Sequence, residues 1–521
     1  MNGCNGNMRG LSRLNNVIPL AILLIGIFVT FFNINELKKL QKEQIQHFKT
    51  TFSKGNENED NEDVRPGPSF TIYGKHPDSG YLKHVINIFN RAGYLRVNYN
   101  STNSWDVMWS HDYPFKKIKP LMKQLKPFQK VNKLPGSGYV TNKVNLATSG
   151  LPNIPKAFKI PNDTNQLLEY TKLNPETLFV QKNKNHRGIK IEKIENLDLN
   201  DSGSFVQEFV QDPFLIDGYK FDVGVYTMIT SIDPLRIYVF DADVLLRFCP
   251  EKYHPFDPKN RDKYVVHDDY RPTWKVPTLS KYYSDLGYSF KETLNAYIRS
   301  IGKDSDTLWK DIEDIIVSVY KNKEKDFRKA ISYYPETSKR MFFEMVRFDF
   351  FLDSNLKVYL MEANMSPNLS SAHFTLNRML YEQVVYSLLR LVGVIRGGIH
   401  ASSLQSTSSE ELEMQVANKD LYVFSDECSS QACSTGDACE DVACRLCKRC
   451  LDDDELEFIR AAYLEHHNCH NCKRIFPSPF SYEDAKKWKE VQEWGEGQEQ
   501  NNHKMHQWLY GKCLIDRSWC N

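Results

Sequence analysis

The stretch Met341 to Asn364, MFFEMVRFDFFLDSNLKVYLMEAN, restricts the fold more than any other part of the chain. Two apolar runs flank Asp353-Ser354-Asn355, residues that favour a tight turn. The pattern predicts a β-hairpin: strand, turn, strand. Upstream, SFVQEFV and VGVYTMITSIDPLRIYVFDADVLLRF read as three strands, with Asp233-Pro234 turning the chain between the last two. SDTLWKDIEDIIVSVYKNKEKDF repeats apolar residues at helical spacing, and LNRMLYEQVVYSLLRLVGVI reads as an amphipathic helix that closes the domain. Strand and helix patterns therefore mix from about residue 150 to 395, which predicts an α/β (α+β) fold class. At 521 residues the chain has room for two or three domains.

The hairpin also carries polar residues. Asp349 lies late on its first strand, and Glu362 and Asn364 end the second. Alternate residues of a strand share a face, so Glu362 and Asn364 point the same way and the hairpin brings Asp349 beside them. Two carboxylates and an amide oxygen form a hard donor set. Mg²⁺ accepts such ligands, keeping waters and taking phosphate oxygens from a nucleotide. On these residues alone, a turn-facing glutamate and a strand-end asparagine is the alternative. No Walker-type loop or dinucleotide fingerprint is present, so a nucleotide would be cradled another way. LFVQKNKNHRGIKI puts Lys182 at the end of an apolar strand, before a loop with Arg187-Gly188. That is either a phosphate-facing lysine with a loop to fold over it, or a solvated basic loop. LIDGYKFDVGVY puts Lys220 and Asp222 on one strand face, as a plain ion pair or as groups that read a base and ribose.

In this order the segments resemble the tubulin tyrosine ligase-like family, from about Trp105 to Gly393. The likeness is carried by PFQKVNKLPGSGYVTNKVNLA, FVQKNKNHRGIKI, LIDGYKFD followed by DPLRIY, and MEANMSP. The resemblance implies an ATP-grasp core with a small N-terminal lobe. It implies that Lys143, Lys182 and Arg187 contact ATP phosphates, that Gly188 in the same loop helps bind the nucleotide, and that Gln207, Glu208 and Val210 line the adenine hinge. Lys220 and Asp222 would hold base and sugar, and Asp349, Glu362 and Asn364 would carry Mg²⁺. The implied chemistry is ATP-dependent amide formation: a carboxylate takes the γ-phosphoryl group, and an amino acid's amine displaces the phosphate. Glutamate ligation to tubulin tails is the family's commonest form. Two departures stand out. Gly224 occupies the place where the family usually has arginine, and the family's HLTN segment is replaced by YVVHDDYRPTW, which keeps only His267. Asn183 also stands where proline is usual. Arg347, two residues before Asp349 and on its strand face, is a candidate to aim at the phosphates instead. A working polyglutamylase, with or without an activating subunit, and a nucleotide-binding pseudoenzyme acting as a membrane-tethered scaffold both follow from this pattern.

The ends of the chain differ from its centre. Val17 to Phe32 is almost wholly apolar and uncharged, which predicts one membrane-anchor helix within residues 1–35. Lys38, Lys39, Lys42, Lys49 and Lys54 outnumber Arg9 and Arg13 across it, which places the large C-terminal part in the cytosol. Residues 36–68 read as a flexible stalk, 69–397 as the ligase domain and 398–427 as a Ser-rich linker. The net charge of +1 gives no argument for nucleic acid, while the lysine-rich run His111 to Lys130 is a candidate groove for acidic tubulin tails or a solvated face. Ten of the 12 cysteines crowd into residues 428–521. Cys444, Cys447 and Cys450, with Cys469 and Cys472, have the C-x-x-C spacing of a structural Zn site, and disulfides are the rival reading. Zn would suit a cytosolic tail and tubulin or microtubules as partner. Disulfides, with Asn100-Ser-Thr and Asn162-Asp-Thr as candidate glycan acceptors, would suit a lumenal one.

Overall fold

In the computed structural model, the structure describes Glu36, Lys39 and residues 67–100, 105–183, 190–334, 341–395, 415–434, 436–490 and 500–520. The apolar span at 17–32 and nearly all of the stalk lie outside the described residues. Among the described residues, no helix is long and apolar enough to cross a membrane.

Residues from Pro66 onward form one unit built on three sheets. The first is parallel, in the order β2-β1-β3-β4, from β1 (Ser69–Tyr73), β2 (Leu95–Arg96), β3 (Val107–Ser110) and β4 (Lys130–Val131). Phe70 of β1 stacks on Phe89 of the helix Lys83–Arg91 with ring centroids 4.4 Å apart. The second sheet is antiparallel, in the order β5-β8-β6-β7, from β5 (Ala157–Lys159), β6 (Phe179–Asn183), β7 (Lys190–Glu192) and β8 (Ser204–Glu208).

The third sheet positions the site. Its spine is β10 (Tyr219–Ile232), which pairs antiparallel with β9 (Leu215–Ile216), β11 (Leu235–Phe240), β12 (Leu245–Phe248) and β14 (Glu344–Leu352) along different parts of its length. β13 (Arg271–Pro272) extends it beyond β12, and β15 (Val358–Asn364) pairs with β14 as the expected hairpin. All nine residues of β14 are buried. The helix Ser305–Ile331, capped by the Asp304 carboxylate on two backbone N–H groups, buries Leu308, Ile312, Ile316, Val319 and Phe327 against this core. The VGVYTMITSIDPLRIYVFDADVLLRF stretch supplies three strands of its own where the sequence suggested two. The Asp243 carboxylate accepts from the backbone N–H of Val244 and of Lys291, which turns the chain between β11 and β12. The closing helix forms at Arg378–Leu391, and its Glu382 meets His84 of the first lobe at 3.1 Å.

The tail corrects two expectations. Val416, Leu421, Val423 and Phe424, read as linker, are buried in a core with Ile459, Trp488 and Trp508. The Zn expectation gives way to disulfides: Cys428–Cys447, Cys433–Cys444, Cys439–Cys450 and Cys513–Cys520. All three sulfurs of CRLCKRC are thereby consumed. Cys469 and Cys472 remain thiols, and no group of three or more His, Cys, Asp or Glu side chains that could hold a metal ion occurs among the described residues. The tail is also part of the third sheet. Its β16 (Cys472–Phe476) pairs antiparallel with β11, and the buried carboxylate of Glu465 receives both Arg236, at 2.8 and 3.0 Å, and the Tyr238 hydroxyl at 2.9 Å.

Candidate active site

The hairpin register sets Asp349 opposite Glu362 and Arg347 opposite Asn364. A bulge between Asp349 and Phe350 leaves Met361 unpaired, which keeps Glu362 beside Asp349 at the open end of the sheet. The Asn364 side-chain nitrogen donates to Asp349 Oδ2 and Glu362 Oε1, each at 3.0 Å. The Lys143 ammonium, at the start of a short helix capped by Asn142, lies 2.6 Å from Glu362 Oε2. Burial pushes the Glu362 carboxyl up, but Lys143, Asn364 and Arg347 outweigh it and hold the group at about 2. Glu362 is thus ionised at neutral pH, with a cation already on one oxygen. This donor set fits a hard divalent ion, with Glu362 and Asn364 most accessible.

Beneath this rim the charges interlock. Arg247 of β12 forks onto Asp222 of β10 at 2.8 and 2.9 Å and reaches Asp349 at 3.0 Å. Arg347 grips Asp349 with Nε at 2.6 Å and a second nitrogen at 2.8 Å. Arg347 was expected to face the phosphates. Its side chain is only 7% exposed, because a carboxylate two residues on, on the same buried strand face, is its nearest anion. Lys182 donates to Gln207 Oε1 at 2.9 Å, and Gln207 in turn donates to the Pro155 carbonyl. Burial lowers Lys182 to about 8, helped by Lys143 and Lys220 and opposed by Glu362, so these groups share one field. Cations outnumber carboxylates among these groups, which leaves the site net positive.

Other expected residues fall elsewhere or are engaged differently. Lys220 does not pair with Asp222: its ammonium donates to the Tyr264 carbonyl at 3.3 Å and lies over the Phe351 ring. Glu208 accepts from the Tyr170 hydroxyl at 3.0 Å, and Val210 follows β8 partly buried. Arg187 and Gly188 lie outside the described residues. His267 contacts Asp262 at 3.0 Å. Sequence reasoning missed Arg247, whose signal was alternation within LLRF opposite Asp222. It also missed Lys133, a fully enclosed lysine that donates to the Met365 carbonyl at 2.7 Å, one residue past Asn364, and lies 3.6 Å from Glu344.

Residues 121–398 match the model of the tubulin-tyrosine ligase family. The chain belongs to that family. A Caenorhabditis elegans protein named probable tubulin polyglutamylase ttll-15 is 40% identical over 466 residues, covering 88% of each chain. Mouse tubulin polyglutamylase TTLL6 and human tubulin monoglutamylase TTLL4 are each 27% identical, over 56% of this chain and 37% and 25% of their own lengths. The nematode likeness extends well past the family domain, so it takes in more than the ligase core.

Proposed function

We propose that this family member is an ATP- and Mg²⁺-dependent ligase that joins glutamate to glutamate side chains of an acidic acceptor, in the first instance tubulin tails. The observation that carries the reading is the cluster at the open end of the main sheet: Glu362 and Asn364 with Lys143 already seated on the carboxylate, and Lys182 close by. An acceptor carboxylate would take the γ-phosphoryl group, releasing ADP, and the amine of free glutamate would then displace phosphate from the acyl phosphate. Lys143 and Lys182 would draw the anionic nucleotide in, and the fixed cations would offset charge growing on the transferring group. The divalent ion supplies further charge neutralisation at the phosphates. A pocket beside β13 carries Arg271, Lys275 and His373 around Tyr270 and Phe374, with Asp269 3.8 Å from the His373 ring. Incorporation of labelled glutamate into tubulin should require ATP, Mg²⁺ and Glu362. Incorporation by Glu362→Gln at the wild-type rate, or none by the wild type, overturns the reading.

A second reading concerns the acceptor. Four disulfides suit an oxidising compartment, where cytosolic tubulin is absent. Under that topology residues 1–35 would anchor the chain with its ligase domain in the lumen, and the same chemistry would act on a secreted acidic protein. Protease protection of the ligase domain in sealed microsomes would support the lumenal topology, and digestion without detergent would support the cytosolic one.

A further inference from the structure

β10 and β14 run antiparallel with Gly224 opposite Asp349 and Tyr226 opposite Arg347. Gly224 is the one residue of β10 without a side chain. A Cβ built there would sit 3.0 Å from Arg347 Cδ, 3.3 Å from its Nε and 3.2 Å from Asp349 Oδ1. The Arg347 guanidinium therefore occupies the space that a side chain at 224 would need. In that space it makes its two-point grip on Asp349. Asp349 is only 3% exposed, and its oxygens accept from Arg347 twice, from Arg247 and from Asn364. Glu362, by contrast, is 29% exposed and is met by Lys143 from the open side.

We propose that Gly224 and Arg347 work as one unit. The bare backbone of β10 admits a guanidinium from β14, and that guanidinium fixes Asp349 as a permanently paired anion at the floor of the site. Glu362 and Asn364 are left to hold the divalent ion. Arg347 is in this sense a positioning residue: it acts through Asp349 and does not itself touch the reacting atoms. Steric reciprocity makes the pair separable from ordinary packing, because a guanidinium entering from position 224 can reach the same carboxylate once position 347 is emptied. The inference rests on the proposed nucleotide-dependent reaction, but it is testable without turnover.

The test is Mn²⁺ binding to the full chain, without nucleotide and with a non-hydrolysable ATP analogue, followed by electron paramagnetic resonance. Arg347→Ala releases Asp349 beside Glu362, so Mn²⁺ without nucleotide should bind about tenfold tighter. Gly224→Ala, whose Cβ requires Arg347 to give by a few tenths of an ångström, should move affinity in the same direction by less. Gly224→Arg combined with Arg347→Gly should return affinity to within about threefold of wild type and restore the ligation rate that Arg347→Ala loses. Arg347→Lys keeps the charge without the fork and serves where the alanine variant does not fold, with the same expected direction. Unchanged Mn²⁺ affinity in Arg347→Ala, or a reciprocal double variant no better than Arg347→Ala, overturns the unit. Absence of ligation in the wild type would overturn the proposed reaction and leave the Mn²⁺ result to stand or fall by itself.

Discussion

Replacing Glu465 by alanine should loosen the tail from the ligase sheet, and the structure sets the size of the effect. The Arg236–Glu465 pair is buried on both sides, with side chains 5% and 7% exposed, and is held by two hydrogen bonds. Removing the carboxylate strands Arg236, whose third nitrogen already lacks a partner. Breaking a buried pair in this way costs about 3–5 kcal/mol. The Tyr238 hydroxyl loses its acceptor as well, adding roughly 1 kcal/mol. Glu465→Gln keeps an oxygen for Tyr238 and most of the volume, so its cost should be smaller, roughly 1–3 kcal/mol. Thermal unfolding of both variants, with limited proteolysis to watch the tail come free, gives the order alanine, then glutamine, then wild type. An alanine variant that unfolds at the wild-type temperature, or a glutamine variant as damaged as alanine, would refute the claim that this pair fastens the two parts.

Four further outcomes follow from the structure. Because burial lowers Lys182 to about 8, nucleotide affinity should fall as pH rises through 8, while Lys182→Arg should bind with a flat profile over that range. The unfolded chain keeps that proton up to about 10.5, so the Lys182 contribution to stability should rise between those pH values and vanish in Lys182→Met, read by denaturant midpoints. A Cβ at Gly511 would lie 2.6 Å from Val423 Cβ, so Gly511→Ala should cost about 1–3 kcal/mol in the tail, measured by unfolding. Among the cysteines of the described residues, alkylation of the denatured, unreduced protein should modify Cys249, Cys469 and Cys472 and spare the eight paired ones, with mass spectrometry as the judge.

The local parts of the fold were legible because local pattern decides them. The hairpin needed only two apolar runs and a turn, and strand alternation sufficed to put Asp349, Glu362 and Asn364 together. Other features depend on partners far away in the chain. The Met361 bulge and the forks from Arg247 and Arg347 require knowing which residues face each other across β10, β12 and β14. Alternation placed Arg347 on the face of Asp349 but did not show that this carboxylate, and not a phosphate, would hold it. Sulfur pairing is not deducible from spacing, since eight or ten cysteines admit many connectivities, and C-x-x-C alone suited Zn equally well. That β16 belongs to the ligase sheet had no local signal at all.

The strand β16 has a consequence for how the protein is made. Its partner, β11, is synthesised well over two hundred residues earlier. At about 5–20 residues per second, the nascent ligase waits roughly 10–50 s with that sheet edge bare. An exposed edge invites pairing with other chains. Maturation of the ligase core is thereby tied to the arrival of the last hundred residues, much of it cross-linked by disulfides. A premature stop between residues 395 and 472 should leave an aggregation-prone product, even though every candidate site residue has been translated.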